Sequence, residues 1–559
     1  MKIIVLLTVI ILLFQFRLEA RNPAELEEFL QDISRQSQQF KNSPDHLSYK
    51  SERTVRDYQV GDEEVFWSWA LNVMPPDWMQ TPATCRAVGE YCYLFVADDQ
   101  WNLHMEQTDV DEIMPYLEEY TMNSDQYGAI EMDIINFGPI PDELDNDPKV
   151  IVFYMELGSF GGSTFDGYFS SYNQVTEAEA QNMNPPGHSN ECEMIYMTCY
   201  PLQPADPIRI SVLSHELQHL IHWGADLNES TWVNEGCSEL AMVLFGLPDP
   251  ITGFPNNPDN SLITWNQQFA DYVKTMLFFT YLKEHFGDNN LIADIVADPA
   301  NSITGIQNQL IEHGFMIPFE GIFNNWTIAN YLDDPAVAEG QYCYDLLDLP
   351  AFNHSAFVSS FPYSGSGSVN AWAAEYIRVN TNNLDAGSTL TLNFETADDC
   401  GFTILYYEDN ETLALLNSII VDGDFELQLL ESEESYYKIV LVISNNDYSS
   451  FSYNYSLETQ GVQVGEETIQ SDFITITGYP NPVSSFSTSV TFNISNSASS
   501  AKLEIFNIKG QKIRELHQSA AGQLVWDLTD QYNRSVPDGV YLYRLANEAS
   551  IPQKILLMK

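Results

Sequence analysis

Residues 207–239 read PIRISVLSHELQHLIHWGADLNESTWVNEGCSE, and the spacing of polar groups inside this stretch decides what is built around it. Asp206 stands just ahead of it as a helix N-cap, Pro207 suits a first helical turn, and Gly224 is a stop signal. The run between them is predicted helical, with Leu213, Leu217, Leu220 and Ile221 marking a half-buried face. On such a helix His215 and His219 stand at i and i+4 and face the same way. Both imidazoles can then reach one ion at about 2.1 Å, as tetrahedral zinc requires. Glu216 falls beside that ion, placed to activate an attacking water. A surface helix with two idle histidines is the bland alternative.

A catalytic zinc wants a third protein ligand and an open fourth position. His222 shares the helical face, but its Cα lies about 10 Å along the axis from that of His215, too far for one straight helix to converge three ligands. Position 225, where a metzincin would place its third histidine, is Ala225. The remaining source is Trp232-Val233-Asn234-Glu235-Gly236-Cys237-Ser238-Glu239, on a second helical stretch ending near Gly246 and Pro248. Glu235 and Glu239 again stand at i and i+4, so one can bind metal while the other supports a ligating histidine from behind. Cys237 reads as a small buried thiol.

With these residues in view, the sequence resembles the gluzincin metallopeptidases, in which a Glu on a second helix completes an H-E-x-x-H zinc site. The Trp-x-Asn-Glu-Gly wording is most similar to the hyicolysin-type peptidases and, more distantly, to the leucyl-aminopeptidase-like group. The resemblance implies a zincin-like α+β catalytic domain, Zn2+ as cofactor, and Glu235 as the ligand of the Asn-Glu-Gly step. Fifteen residues separate His219 from Glu235. That is fewer than in thermolysin or the aminopeptidases, so the connecting loop must be tight. The same families place a catalytic tyrosine on a later helix, and Asp271-Tyr272-Val273-Lys274 resembles their Tyr-x-Lys segment. By that resemblance Tyr272 donates a hydrogen bond to the tetrahedral oxyanion, although packing within the helix would explain it equally. An aminopeptidase would also need Gly-x-Met-Glu-Asn to read a free amine. Gly128-Ala129-Ile130-Glu131-Met132 lacks the Asn and lies far upstream, so internal cleavage of protein or peptide substrates is expected. The apolar strand Glu193 to Tyr200 is expected to be the edge to which an extended peptide adds.

Moving outward, 559 residues exceed one ordinary core, and the texture changes several times along the chain. Residues 1–20 read as a secretory signal: Lys2, an apolar run from Ile3 to Phe14 too short to span a bilayer, then Leu18-Glu19-Ala20. Residues 21–58 form a polar N-terminal segment with one amphipathic stretch, suited to a pro-region or simply an N-terminal helix. Residues 59–350 carry strands such as Cys92 to Ala97 and Val150 to Glu156, then long helices. Short alternating strands over 351–460, among them Tyr376 to Asn380 and Phe402 to Tyr407, predict a β-sandwich. A linker over 461–472 closes it. The expected fold class is thus multidomain: a zincin-like α+β domain, a β-sandwich, and a small Ig-like β-sandwich.

That last segment, 473–559, differs in charge. It nets +2 while the whole chain nets −56, which leaves −58 on the rest. Its Tyr479-Pro480-Asn481-Pro482 opening, Ser489 to Ile494, Lys502 to Lys512, Trp526-Asp527, Asp538-Gly539-Val540-Tyr541 and basic end look like the C-terminal sorting domain of the type IX secretion pathway. The resemblance implies the type IX machinery as partner and a secreted or outer-surface location. The residues themselves show only a short β module with turns.

Seventy-nine acids against 23 bases exclude nucleic-acid and anionic-membrane binding, which need clustered Lys and Arg. Ca2+ sites are another use for so many acids, but no EF-hand loop supports them. Aromatics at 13% argue for folded structure. The seven cysteines leave at least one unpaired; Cys85 with Cys92 and Cys192 with Cys199 fit local disulfides or free thiols on neighbouring strands. The expected function is secreted zinc-dependent endopeptidase. The alternative is a surface adhesin or glycan binder with a vestigial metal site, and a third class is another zinc hydrolase such as an esterase.

Overall fold

The computed structural model describes residues 24–41, 46, 56–73, 75–142, 144–160, 163–287, 290–382, 384, 388–431, 435–460, 476–479, 483, 489–494, 502–507, 511–517, 524–545 and 553–557. The signal stretch 1–20 and the linker 461–472 lie outside them. Contacts divide the chain into two units, Met1–Ile251 with Trp265–Gln309, and Thr252–Thr264 with Leu310–Lys559.

The first unit is built on a six-stranded mixed sheet in the order β1-β2-β3-β4-β8-β7. Its strands are β1 (Glu63–Ala70), β2 (Asp77–Val88), β3 (Cys92–Ala97), β4 (Val150–Met155), β7 (Gly167–Phe169) and β8 (Met194–Thr198). A two-stranded ribbon, β5 (Ser159–Phe160) with β6 (Ser163–Thr164), interrupts the connection. β3 and β4 are continuous apolar runs with every residue buried, and they pair in parallel, as strands covered on both faces do. The sequence expectation that Glu193 to Tyr200 forms a free edge is corrected here. β8 is parallel to β4 on one side and antiparallel to β7 on the other, so its backbone groups are already paired. The edge on that side of the sheet is β7, only three residues long.

An amphipathic helix α1 (Ala24–Lys41) packs on this sheet. Its Leu26 and Ile33 are fully buried in one core with Phe66, Trp69, Phe95 and Tyr168. The helices that follow include α2 (Gln107–Glu118), α3 (Ala129–Phe137), α4 (Pro207–Ala225), α5 (Thr231–Phe245), α6 (Phe269–Phe286) and α7 (Leu291–Ala297). Asp206 caps α4 by accepting from the Ile208 N–H, with Pro207 in the first turn, and the helix runs one residue past Gly224. Gly246, at φ +101°, ends α5 in the left-handed conformation that glycine adopts without strain. Inside α5, Gly236 has a different reason. A Cβ there would lie 2.3 Å from the Phe279 ring, so its absence lets α6 pack directly on α5.

All seven cysteines are free and buried. The register explains why Cys85 and Cys92 do not pair: Cys85 lies opposite Phe95 and shares its face, whereas Cys92 falls on the other face of β3. Cys192 likewise sits in the core cluster that excludes Cys199.

In the second unit a four-stranded sheet (Tyr363–Val369, Phe451–Gln460, Thr389–Thr396, Phe425–Leu430) and a five-stranded sheet (Leu413–Asp422, Asp399–Tyr407, Lys438–Ser444, Ala374–Asn380, Ala356–Val358) bury a common core. Leu392, Phe394, Phe402, Ile404, Leu441 and Tyr453 come from both sheets. The helix Phe319–Leu332 belongs to this unit; its Thr327 carbonyl accepts from the Tyr376 hydroxyl at 2.7 Å. The C-terminal segment forms a three-stranded and a four-stranded sheet around Trp526, Leu503, Ile505 and Tyr543.

Candidate metal centre

The i, i+4 spacing on α4 brings His219 Nε2 to 3.1 Å from His215 Nε2. From α5, Glu235 Oε2 stands 3.6 Å from His215 Nε2 and 3.7 Å from His219 Nε2. Ligands about 2.1 Å from a tetrahedral ion are about 3.4 Å apart, so this triangle has the dimensions of a zinc site. The side chains argue the same way from charge. Two ring nitrogens and a carboxylate oxygen converge, and the outer ring nitrogens face acceptors. With the ring protons held on that outer side, three lone pairs point at one spot, an arrangement that only a cation or a shared proton relieves. The five residues between α4 and α5 form the tight connection that the sequence requires.

The outer contacts fix each imidazole. His219 Nδ1 donates to Asn234 Oδ1 at 2.6 Å, with Ser238 Oγ at 3.1 Å. Ser238 gives its own hydroxyl proton to Gln218 Oε1 at 2.5 Å, so it meets His219 as an acceptor. Glu239 Oε1 lies 3.2 Å from His215 Nδ1 and is fully buried, which places this carboxylate behind the first histidine. Burial opposes charge on His215, yet Glu235, Glu239 and Glu216 lift its imidazole to about 10. Burial likewise opposes ionisation of Glu235, but His219 and His215 hold it below the usual carboxylate range. The pocket favours positive charge at its centre.

Glu216 is 5% exposed and its Oε2 accepts the Phe169 backbone N–H at 3.0 Å. The short edge strand β7 therefore orients the carboxylate next to the two histidines. A cavity of about 200 Å³ opens here, lined by His215, Glu216, His219, Glu235 and Tyr272 among others. Tyr272 enters from the first turn of α6, edge-on to Trp265 at 4.8 Å. A buried ion pair between Lys274 and Asp271, 2.6 Å, holds that turn, and Asp271 also accepts from the Asn266 and Gln268 N–H groups.

His222 stands apart from the triad: it is fully buried and its Nδ1 meets Gln218 Nε2 at 3.2 Å. Burial, helped by His219, pushes its imidazole down to about 3. Gly128 caps α3, and neither it nor the four residues after it line the cavity. Asn234, Ser238, Gln218 and Phe169 are site residues that the sequence reading did not single out. Asn234 adjoins Glu235 and had a signal in that position. Phe169 had none. A second group, Asp142, Asp145 and Glu193, also brings three carboxylate oxygens within 4.8 Å, with Arg56 Nε 3.7 Å from Asp145.

Residues 477–558 match the secretion system C-terminal sorting domain family. This is the type IX sorting domain, and it marks the chain for export, ending in secretion or in attachment at the cell surface. Among the described residues no helix is long and apolar enough to cross a membrane. No curated protein matches the chain. Among solved structures it is similar to latent PorU from Porphyromonas gingivalis, with 12% identity over 29% of this chain and 30% of that one, at a TM-score of 0.15. A biofilm-associated BSP domain gives 9% identity over 34% of this chain and 51% of that one, TM-score 0.12. A β-glucuronidase of Bifidobacterium dentium gives 10% over 37% and 50%, TM-score 0.13. The chain therefore spans a third to a half of these proteins, and likenesses so low carry no argument.

Proposed function

We propose that the chain is a secreted zinc-dependent endopeptidase of gluzincin type, its metal held by His215, His219 and Glu235 on a zincin-like α+β domain. The observation that carries this reading is the convergence of two Nε2 atoms and one carboxylate oxygen at 3.1 to 3.7 Å, with Glu216 adjacent. Bound zinc supplies Lewis acidity, lowering the pKa of water and polarising a carbonyl. Glu216, steadied by the Phe169 N–H, takes the proton of the attacking water and passes it to the leaving amine. Tyr272 donates to the oxyanion from the cavity wall. Asn234 and Glu239 hold the rings so that both Nε2 lone pairs stay turned inward. The substrate strand lies along β7, the sheet edge, rather than β8.

The test is casein digestion by the zinc-loaded full chain, with and without a chelator, beside Glu216→Gln. The general base is worth on the order of 10² or more in rate. Loss of cleavage in both controls, with zinc content intact in the variant, is the expected result. A Glu216→Gln protein that binds zinc and still cleaves at near wild-type rate defeats the mechanism, and binding of surface ligands without any turnover favours an adhesin.

A further inference from the structure

The connector between the two ligand-bearing helices, residues 226–230, does more than close a tight loop. It carries two carboxylates, Asp226 and Glu229, and both line the cavity that holds the triad. Asp226 is 7% exposed. Its Oδ1 is near the Asn228 N–H at 3.5 Å, but its Oδ2 is buried and takes no hydrogen bond among the described residues. A buried carboxylate oxygen without a donor costs on the order of 1–3 kcal/mol or more, so the Asp226 charge is held at this wall by little besides the backbone N–H groups of Leu227 and Asn228. Glu229 receives the Ser230 N–H, the Ser230 hydroxyl at 2.7 Å and the Ser302 N–H at 2.7 Å, all on Oε1, so Oε2 takes none of them.

These acids also repel one another. Burial first, and then the nearby Asp298, hold the Asp226 carboxyl above its usual range. Burial and then Asp226 act the same way on Glu229. The Arg35 guanidinium of this wall is engaged elsewhere. Arg35 lines the cavity but pairs with Asp32 at 2.6 Å, and Lys41 donates to the Gly224 carbonyl at 2.5 Å while lying over the Trp223 ring. A metal is a poor match, because among the described residues the carboxylates of Asp226, Glu229 and Asp298 do not converge as ligands do. Leu30, Trp223 and Leu227 line the same cavity and offer an apolar wall to a hydrocarbon stem.

We propose that Asp226 and Glu229 form a specificity subsite for a lysine or arginine side chain of the peptide substrate, a reading that rests on the endopeptidase function above. Asp226 lies seven residues beyond His219, about 10 Å along the helix direction. A residue next to the cleaved bond spans that distance with its backbone and a four-carbon stem. Its ammonium or guanidinium then meets the Glu229 carboxylate, whose Oε2 takes none of the bonds made by Oε1, with the Asp226 charge behind it.

The experiment uses the full chain and N-acetylated peptides that differ only in Lys, Arg or norleucine at the positions flanking the cleaved bond. Wild type is expected to favour Lys or Arg at one position by at least about tenfold, the scale of one charge-assisted hydrogen bond. Asp226→Asn, and more so Asp226→Asn with Glu229→Gln, should remove that preference while norleucine peptides are cut as before. Both changes preserve shape, and Gln keeps the Oε1 acceptor. Calorimetric binding of the Lys peptide to zinc-loaded Glu216→Gln gives a readout without turnover, and adding Asp226→Asn should weaken it about tenfold or more. Equal cleavage of Lys and norleucine peptides, or an unchanged preference in the double variant, overturns the proposal. If the wild type cuts nothing yet Asp226-dependent binding persists, the subsite stands and the hydrolase reading falls.

Discussion

Replacing Asn234 by Ala tests whether the His219 ring of the proposed metal site is oriented by its partner. His219 Nδ1 loses its 2.6 Å acceptor and keeps only Ser238 Oγ at 3.1 Å. Partners of this kind typically contribute 10- to 100-fold to metal affinity. Because Ser238 remains, the loss should fall near the lower figure, about tenfold or ~1.4 kcal/mol. Asn234→Asp retains an acceptor oxygen and should bind zinc at least as well as wild type. Asn234→Ala with Ser238→Ala strips both acceptors and should lose about a further tenfold. The assay is competition for zinc against a chromophoric chelator, starting from metal-free full-length protein, with unfolding midpoints recorded in parallel. If Asn234→Ala and the double variant both bind zinc within twofold of wild type, the outer hydrogen bond does not set the tautomer and the reasoning fails.

Gly236→Ala puts a methyl 2.3 Å from the Phe279 ring; it should destabilise the first unit by about 1–3 kcal/mol and reduce turnover by displacing α6 and Tyr272, read by urea unfolding and peptide kinetics. Ile33→Ala, at a fully buried position of α1, should cost about 2–5 kcal/mol in the same unfolding measurement, whereas a detachable α1 would leave the midpoint unchanged. His222 is buried with its imidazole lowered to about 3, so below about pH 6.5 the unfolded chain binds the extra proton and stability falls with pH until about 3. His222→Gln should flatten that acid limb in a pH series of unfolding free energies, and an unaltered limb counts against the assignment.

The helical pair carrying the centre was legible because its signals are local. Asp206, Pro207 and the i, i+4 histidines need only one helix to be interpreted, and Glu235 sits in a second helix close in sequence. The central strands were legible for a similar reason: Cys92–Ala97 and Val150–Met155 are apolar at every residue. What failed depended on distant pairing. β7 spans three residues, too few for any periodicity, so the sequence offered β8 as the edge although Gly167–Phe169 covers it. The fate of residues 24–41 turned on Leu26 and Ile33 finding Trp69 and Tyr168 across the fold, which amphipathicity alone does not specify. Cys85 and Cys92 looked close enough to pair, and only the register puts them on opposite faces. Asp226 and Glu229 carry no signal in the sequence, and only the folded chain sets them on the wall of the cavity that His215, His219 and Glu235 also line.

The central claim is that two helices deliver imidazole, imidazole and carboxylate to one zinc ion. Zinc K-edge absorption on the loaded full-length protein measures that directly. The account predicts two imidazole nitrogens and a carboxylate oxygen at about 2.0–2.1 Å, with the carboxylate lost in Glu235→Ala. A sulfur shell at about 2.3 Å, a single imidazole, or a spectrum indifferent to Glu235→Ala contradicts it.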